Sequence, residues 1–166
     1  MTTKNYLTIY AKSFNWSGFF LPKKIYYRCS QLYDFCRTLD NIVDQNNSLE
    51  IKKKQFEEFK IKFQEKNQKD SVIKNMWELM DKSNISKKIV DDLFDGVESD
   101  LKQEVRIKTE KELLVYSYRV AGTVGLMMAK IFGIKKKESL QRAIDLGIAM
   151  QLTNISRDVV EDEKKK

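Results

Sequence analysis

From Ile25 to Val43 the chain reads IYYRCSQLYDFCRTLDNIV, with apolar residues recurring three and four apart, the spacing of one buried helical face. Pro22 stands where the first turn of that helix opens, a position that costs no hydrogen bond because the first amides have no partner anyway. Asn47-x-x-Glu50 has the form of a capping box and predicts a second helix running toward Lys66. Shorter helices are expected from Ser71 to Lys82 and from Ser86 to about Leu101. Thr109-x-x-Glu112 is another capping box, and its helix should stop near Gly133. A last helix is expected from around Glu138 to the C-terminus. No stretch alternates in the manner of a strand, and no repeat, linker or internal boundary interrupts the pattern. The expectation is an all-α fold forming a single domain over residues 1–166.

Composition agrees with this picture. One proline and six glycines leave little hairpin punctuation, and 42% apolar residues suffice for a core while 33% charged residues suit solvated helix faces. The balance of 31 Lys and Arg against 24 Asp and Glu gives a formal charge of +7. Such a charge suits nucleic acid, a membrane surface or an anionic substrate. Runs such as Lys52–Lys54 and Lys135–Lys137 read first as solvated faces.

Histidine is absent, which excludes a Ser-His-Asp triad, a Cys-His pair and a His-ligated zinc site built from these residues. Cys29 and Cys36 lie two helical turns apart, roughly 10 Å, too far for a disulfide. The N-terminal segment lacks the long apolar core of a secretory signal. The most apolar window, Val120 to Ala129, is about half the roughly 20 residues that span a bilayer. A reduced, cytoplasmic protein, membrane-associated at most, is expected.

The candidate chemistry lies in acidic pairs. Asp40 and Asp44 are one turn apart, roughly 6 Å along the helix, and Arg37 precedes them on the same face. The last helix repeats the design with Asp158 and Asp162, preceded by Arg157, Asn154 and Gln151 and then by apolar Met150, Leu146 and Ala143. Each face is greasy at one end and acidic at the other, and the two are expected to face each other across one cavity. Carboxylates at this spacing repel unless a cation sits between them. Oxygen-only ligands select a hard cation, Mg²⁺ or Mn²⁺, which completes its shell with water and substrate phosphate. Either pair alone reads as a solvated helix face; two pairs, each beside an arginine, point to a diphosphate held by metal and guanidinium together. Between them, VYSYRVAGTVGLMMAKIFG carries an apolar stripe of Tyr116, Val120, Val124 and Met128. Gly122 and Gly125 each weaken that helix by up to ~1 kcal/mol relative to alanine. They mark the close approach of a helix or of a ligand, and the spacing does not say which.

Five segments in order give the chain a resemblance to the squalene/phytoene synthase family of head-to-head prenyl transferases. SFNWSGFFLP resembles the family's N-terminal Ser-Phe…Leu-Pro segment, and YDFCRTLDNIVD its first aspartate motif. DGVESDL resembles the Asp-Gly-x-x-x-Asp-Leu signature, YSYRVAGTVG the Tyr-x-x-x-Val-Ala-Gly-x-Val-Gly helix, and QLTNISRDVVED the second aspartate motif. The resemblance covers Ser13 to Asp162 and implies an isoprenoid-synthase helical bundle.

It further implies Mg²⁺- or Mn²⁺-dependent condensation of two prenyl diphosphates through a cyclopropyl intermediate. Asp40, Asp44, Asp158 and Asp162 match the metal-binding carboxylates, Asn154 a polar residue of that cluster, and Arg37 and Arg157 the arginines on diphosphate. Ser13, Phe14, Gln151, Tyr116, Val120, Ala121, Val124, Gly125, Met128, Ala143, Leu146 and Met150 match substrate-binding and tunnel-lining positions. Formation of phytoene from geranylgeranyl diphosphate, in carotenoid biosynthesis, is the leading activity. Squalene or dehydrosqualene formation from farnesyl diphosphate is the alternative, and a non-catalytic assembly factor of the same family is another. Peripheral membrane contact for product release is expected; nucleic acid binding is not, because the lysines are dispersed and the distinctive residues are acidic. Asn41 replaces the motif's usual second aspartate, while the outer pair is intact. The family's Gly-Arg-x-Tyr-x-Pro loop and closing helices have no counterpart before Lys166, so the resemblance implies the N-terminal part of a longer synthase.

Overall fold

The computed structural model describes residues 20–102 and 107–164, with side chains as far as 158. Ser13 and Phe14 lie outside the described residues. All regular structure among the described residues is helical. They fall into two compact units that divide between Ser86 and Lys87.

The first unit contains α1 (Lys23–Asp44), α2 (Leu49–Gln64) and α3 (Ser71–Ser83). Leu32, Phe35 and Leu39 on α1, Phe56, Phe59 and Phe63 on α2, and Ile73, Met76, Leu79 and Met80 on α3 are buried. Their three-and-four spacing is the reason one face of each helix can enter a common core. Phe35 lies with its ring centre 5.9 Å from Phe59 and 5.5 Å from Phe63, and Phe63 stacks on Trp77 at 5.1 Å. The Trp77 indole N–H donates to the Phe63 carbonyl at 2.8 Å, and the Lys66 ammonium lies 4.3 Å above the same ring. Asp70 caps α3, accepting from the amides of Val72 and Ile73 at 2.9 and 3.2 Å. The cap of α2 differs from the expected one. Ser48, rather than Asn47, accepts from the Ile51 amide, and the Asn47 side chain turns back to donate to Gln45.

The second unit contains α4 (Lys87–Ser99), α5 (Glu110–Ser117), a π-helical turn at Tyr118–Gly122, α6 (Thr123–Ile131) and α7 (Lys137–Lys164). Thr109 caps α5 as its capping box predicts, accepting from the Glu112 amide at 3.1 Å. Glu112 reaches back, but to the amide of Lys108 at 2.8 Å. The expected helix from Thr109 to Gly133 is therefore not regular throughout. At its middle the Thr123 amide donates to the Tyr118 carbonyl, five residues back. The Thr123 hydroxyl donates to the Arg119 carbonyl at 2.7 Å, so a carbonyl displaced by the wider turn keeps a partner.

Helices α6 and α7 meet at their backbones. A Cβ on Gly125 would collide with the Ala143 carbonyl oxygen, and one on Gly147 with the Ala121 carbonyl oxygen. Of the two explanations for the glycines in this region, approach of a helix holds for Gly125. No described helix is long and apolar enough to cross a membrane. Cys29 and Cys36 are both free thiols.

Candidate active site

The acidic end of α1 is built by periodicity. Leu32, Phe35 and Leu39 hold one face in the core, which leaves Arg37 half-buried and Asp40 and Asp44 exposed. Asp44 is the last residue of the helix, and the last turn contains no basic residue. Two carboxylates therefore stand at the end where the helix dipole is already negative, an arrangement that costs stability unless a cation joins them. The groups along this face sense one another: burial pushes the Tyr33 hydroxyl up, Arg37 pulls it back down, and Asp40 raises it again.

Cys36 lies on the same helix. Desolvation, reinforced by Asp40 and opposed by a backbone hydrogen bond, pushes its thiol up to about 12. A thiol so poised is no nucleophile near neutral pH.

In the second unit the C-terminal stretch of α7 carries Gln151, half-buried, and Asn154, Arg157 and Asp158, exposed. The Arg157 guanidinium is folded onto the neighbouring Asp158 carboxylate, with Nη2 and Nε donating to Oδ1 at 2.8 and 3.0 Å. Asp162 is on α7, and its side chain is outside the described set. Toward the other end of the helix Leu146 and Met150 are exposed, at 62% and 50%, and Ala143 is half-buried. Two large apolar side chains one turn apart on a helix otherwise packed through Gly147 form a face built to meet something apolar. Tyr116, Val120, Ala121, Val124, Gly125 and Met128 are all half-buried.

Sequence reasoning gave no role to the carboxylates of α4 or to Asp100 just after it, and the structure supplies one. Asp92 accepts from the Tyr118 hydroxyl at 3.2 Å, Asp95 from Arg119 at 3.4 Å, and Asp100 from the Tyr116 hydroxyl at 3.3 Å. Gly96 lies against the same segment: a Cβ there would stand 2.8 Å from the Arg119 Cβ and 2.9 Å from Val120. DGVESDL thus carries groups that fasten the π-helical turn and the Tyr116 phenol. Its spacing was visible as a motif, but its partners, 16 and 24 residues on, were not.

A model of the family described as squalene/phytoene synthase matches residues 7–166. The chain belongs to the squalene/phytoene synthase family. It is 37% identical over 148 residues to the chloroplastic phytoene synthase of Daucus carota, covering 81% of this chain and 36% of that protein. Phytoene synthase of Thermus thermophilus is 66% identical over 58 residues, 35% of this chain and 20% of that one. The crystal structure of a dehydrosqualene synthase in complex with ligand superposes with a TM-score of 0.74 at 30% identity, over 96% of this chain and 56% of that one. The chain therefore spans about half, or less, of the length of these relatives. The helices are those of an isoprenoid-synthase fold, and the family is one of prenyltransferases.

The donor set fits the divalent cation that this family uses. It offers carboxylate and amide oxygens in place of thiolate or imidazole, and Asp40 and Asp44 crowd one negative helix end. Among the described residues no three acidic or sulfur ligands cluster. A pair of carboxylates is what a magnesium ion sharing its shell with phosphate and water takes from protein.

Proposed function

We propose that the protein acts as a phytoene synthase, condensing two molecules of geranylgeranyl diphosphate head to head through a cyclopropyl diphosphate intermediate. The observation that carries this reading is the placement of Asp40 and Asp44 at the negative end of α1, one and two turns beyond Arg37, in a member of a prenyltransferase family. The two relatives named above as phytoene synthases support that substrate class. Asp40, Asp44, Asp158 and Asp162, with Asn154, are the residues that would hold Mg²⁺ or Mn²⁺. Bound there, the cation would neutralise the diphosphate and ease its departure.

The remaining work falls to the chain's own side chains. Arg37 and Arg157 bind diphosphate oxygens, for which a guanidinium offers paired donors. Arg157 is engaged by Asp158, so diphosphate would compete with that carboxylate for the guanidinium. Val120, Val124, Met128, Leu146 and Met150 bind the prenyl chains and exclude water, which would otherwise capture the allylic cation. Ser13, Phe14, Tyr116, Ala121, Ala143 and Gln151 complete the proposed substrate contacts, and Gly125 serves them indirectly by letting α7 approach. Both units belong to one functional domain on this reading, since the family match crosses the boundary between them. Product release would take place at a membrane surface in the cytoplasm.

A second reading has its own support: the 30% identical solved relative is a dehydrosqualene synthase, which favours a farnesyl-sized substrate. The experiment is to supply the purified protein with labelled geranylgeranyl or farnesyl diphosphate and Mg²⁺, and to identify the hydrocarbon by mass. A C40 product supports phytoene synthesis, a C30 product supports the second reading, and no product from either sinks both. Chelation should abolish turnover.

A further inference from the structure

The turn between α6 and α7 combines two features that a solvated lysine run does not need. α6 ends in a Schellman motif. Gly133 has φ +78°, the Gly133 amide donates to the Lys130 carbonyl, and the Ile134 amide donates to the Ala129 carbonyl, both at 3.0 Å. The motif fixes the backbone and leaves Phe132 and Ile134 on the outside, 45% and 40% exposed. Nothing lies within 4 Å of where a Cβ on Gly133 would be, so the tip stands in open space. Lys135, Lys136 and Lys137 follow immediately, all exposed, and among the described residues none of the three forms an ion pair.

These lysines lead into the N-terminus of α7, where the helix dipole is positive, and only Glu138 in its first turn offsets them. Counting from residue 130 to 138, four lysines face one glutamate. We infer that this turn is a docking site for an anionic lipid bilayer, with Phe132 and Ile134 entering the interface and Lys135–Lys137 against the headgroups.

Charge complementarity selects the occupant. A nucleic acid would use the lysines and leave the apolar tip in water, whereas a bilayer of anionic lipids meets both. One apolar insertion gives only marginal binding, and an added polybasic patch is what makes peripheral association effective. The Schellman closure holds the tip before contact, so little chain ordering opposes binding.

The location also fits the synthase reading, on which the inference partly rests. On α7 the docking turn precedes Lys137, the apolar Leu146 and Met150 come next, and Asp158 lies roughly 30 Å from Lys137 along the helix axis. A water-insoluble hydrocarbon would leave toward lipid at one end while diphosphate enters from water at the other.

The test is sedimentation of the full chain with phosphatidylcholine vesicles, with and without phosphatidylglycerol, over a salt series. Binding is expected only with the anionic lipid and should fall as salt rises. Replacing Lys135, Lys136 and Lys137 together by Gln should weaken partition by more than ~10-fold, since each lysine near an anionic surface contributes about fivefold. Phe132→Ser with Ile134→Ser should also weaken it while leaving the circular dichroism unchanged, because both side chains are exposed and neither belongs to the buried core. A Phe132→Trp variant should show emission quenched by brominated lipid beyond that of the parent.

Absence of binding by the parent at low salt would overturn the inference. So would binding indifferent to both sets of substitutions, or a salt-dependent complex with duplex DNA in place of vesicles. Turnover in detergent separates the two readings. Vesicle binding without turnover counts against the synthase, and turnover without vesicle binding counts against the docking turn.

Discussion

Replacing Asp44 by Asn should make the free protein more stable and the enzyme worse. In the absence of metal, Asp44 suffers two repulsions. It closes α1 with no basic residue in the last turn, where the helix dipole disfavours an anion by about 0.3–1 kcal/mol. It also stands one turn from Asp40, and a like-charged pair at that spacing costs roughly 0.2–0.5 kcal/mol. Asn removes the charge at nearly constant shape and exposure, so the gain is on the order of 0.5–1.5 kcal/mol. For a chain of this size that is a rise in Tm of about 1–6 °C.

The assay is thermal unfolding followed by circular dichroism, with EDTA and then with Mg²⁺ and inorganic diphosphate. Any ligand that binds only the folded state raises Tm by linkage, so the parent should gain on adding both components. The variant should gain less, and its turnover with prenyl diphosphate should fall by at least ~100-fold, the scale of losing one electrostatic contact at a reacting centre. A variant that is less stable than the parent in EDTA would refute the reasoning, because Asp44 would then be serving the fold. Equal response to metal and diphosphate in both proteins would refute it from the other side.

Three further outcomes follow from the geometry. Gly147→Ala should gain up to ~1 kcal/mol of helix propensity yet lose more through the clash with the Ala121 carbonyl, for a net loss of about 1–2 kcal/mol in urea unfolding; net stabilisation would mean the π-helical turn and α7 are not in backbone contact. Asp100→Asn should slow turnover, and a double-mutant cycle with Tyr116→Phe should give a coupling of about 1 kcal/mol, low for a charged acceptor because 3.3 Å is long; additive effects would separate the two residues. Tyr118 has its hydroxyl raised by desolvation and then by Asp92, so its stabilising contribution is complete below pH ~10 and is lost as pH rises through the folded value. Tyr118→Phe should therefore flatten the alkaline loss of stability, and an unchanged slope above pH ~10 would dismiss Tyr118 as its source.

Local periodicity was enough to place α1, α3, α4 and α7 within a residue or two, because each buries one stripe and the stripe is written at helical spacing. The acidic pairs were legible for the same reason: Asp40 with Asp44 and Asp158 with Asp162 are one turn apart in any helix. Family membership was legible in five ordered segments, and the match over residues 7–166 agrees with it. The cap of α2 was misplaced by one residue, since Asn47 and Ser48 are both good caps and the choice depends on where the chain leaves α1. Other features depend on what stands opposite. Gly125 could have faced a ligand or a helix until the Ala143 carbonyl was found against it. The π-helical turn is held by partners on α4 that no local pattern around Tyr118 contains. Lys135–Lys137 read as a solvated run, and only the closure at Gly133, which leaves Phe132 and Ile134 outside, turned it into a surface. A helical stripe is a property of one segment, whereas a close approach, a widened turn or an exposed tip is a property of two surfaces meeting or failing to meet.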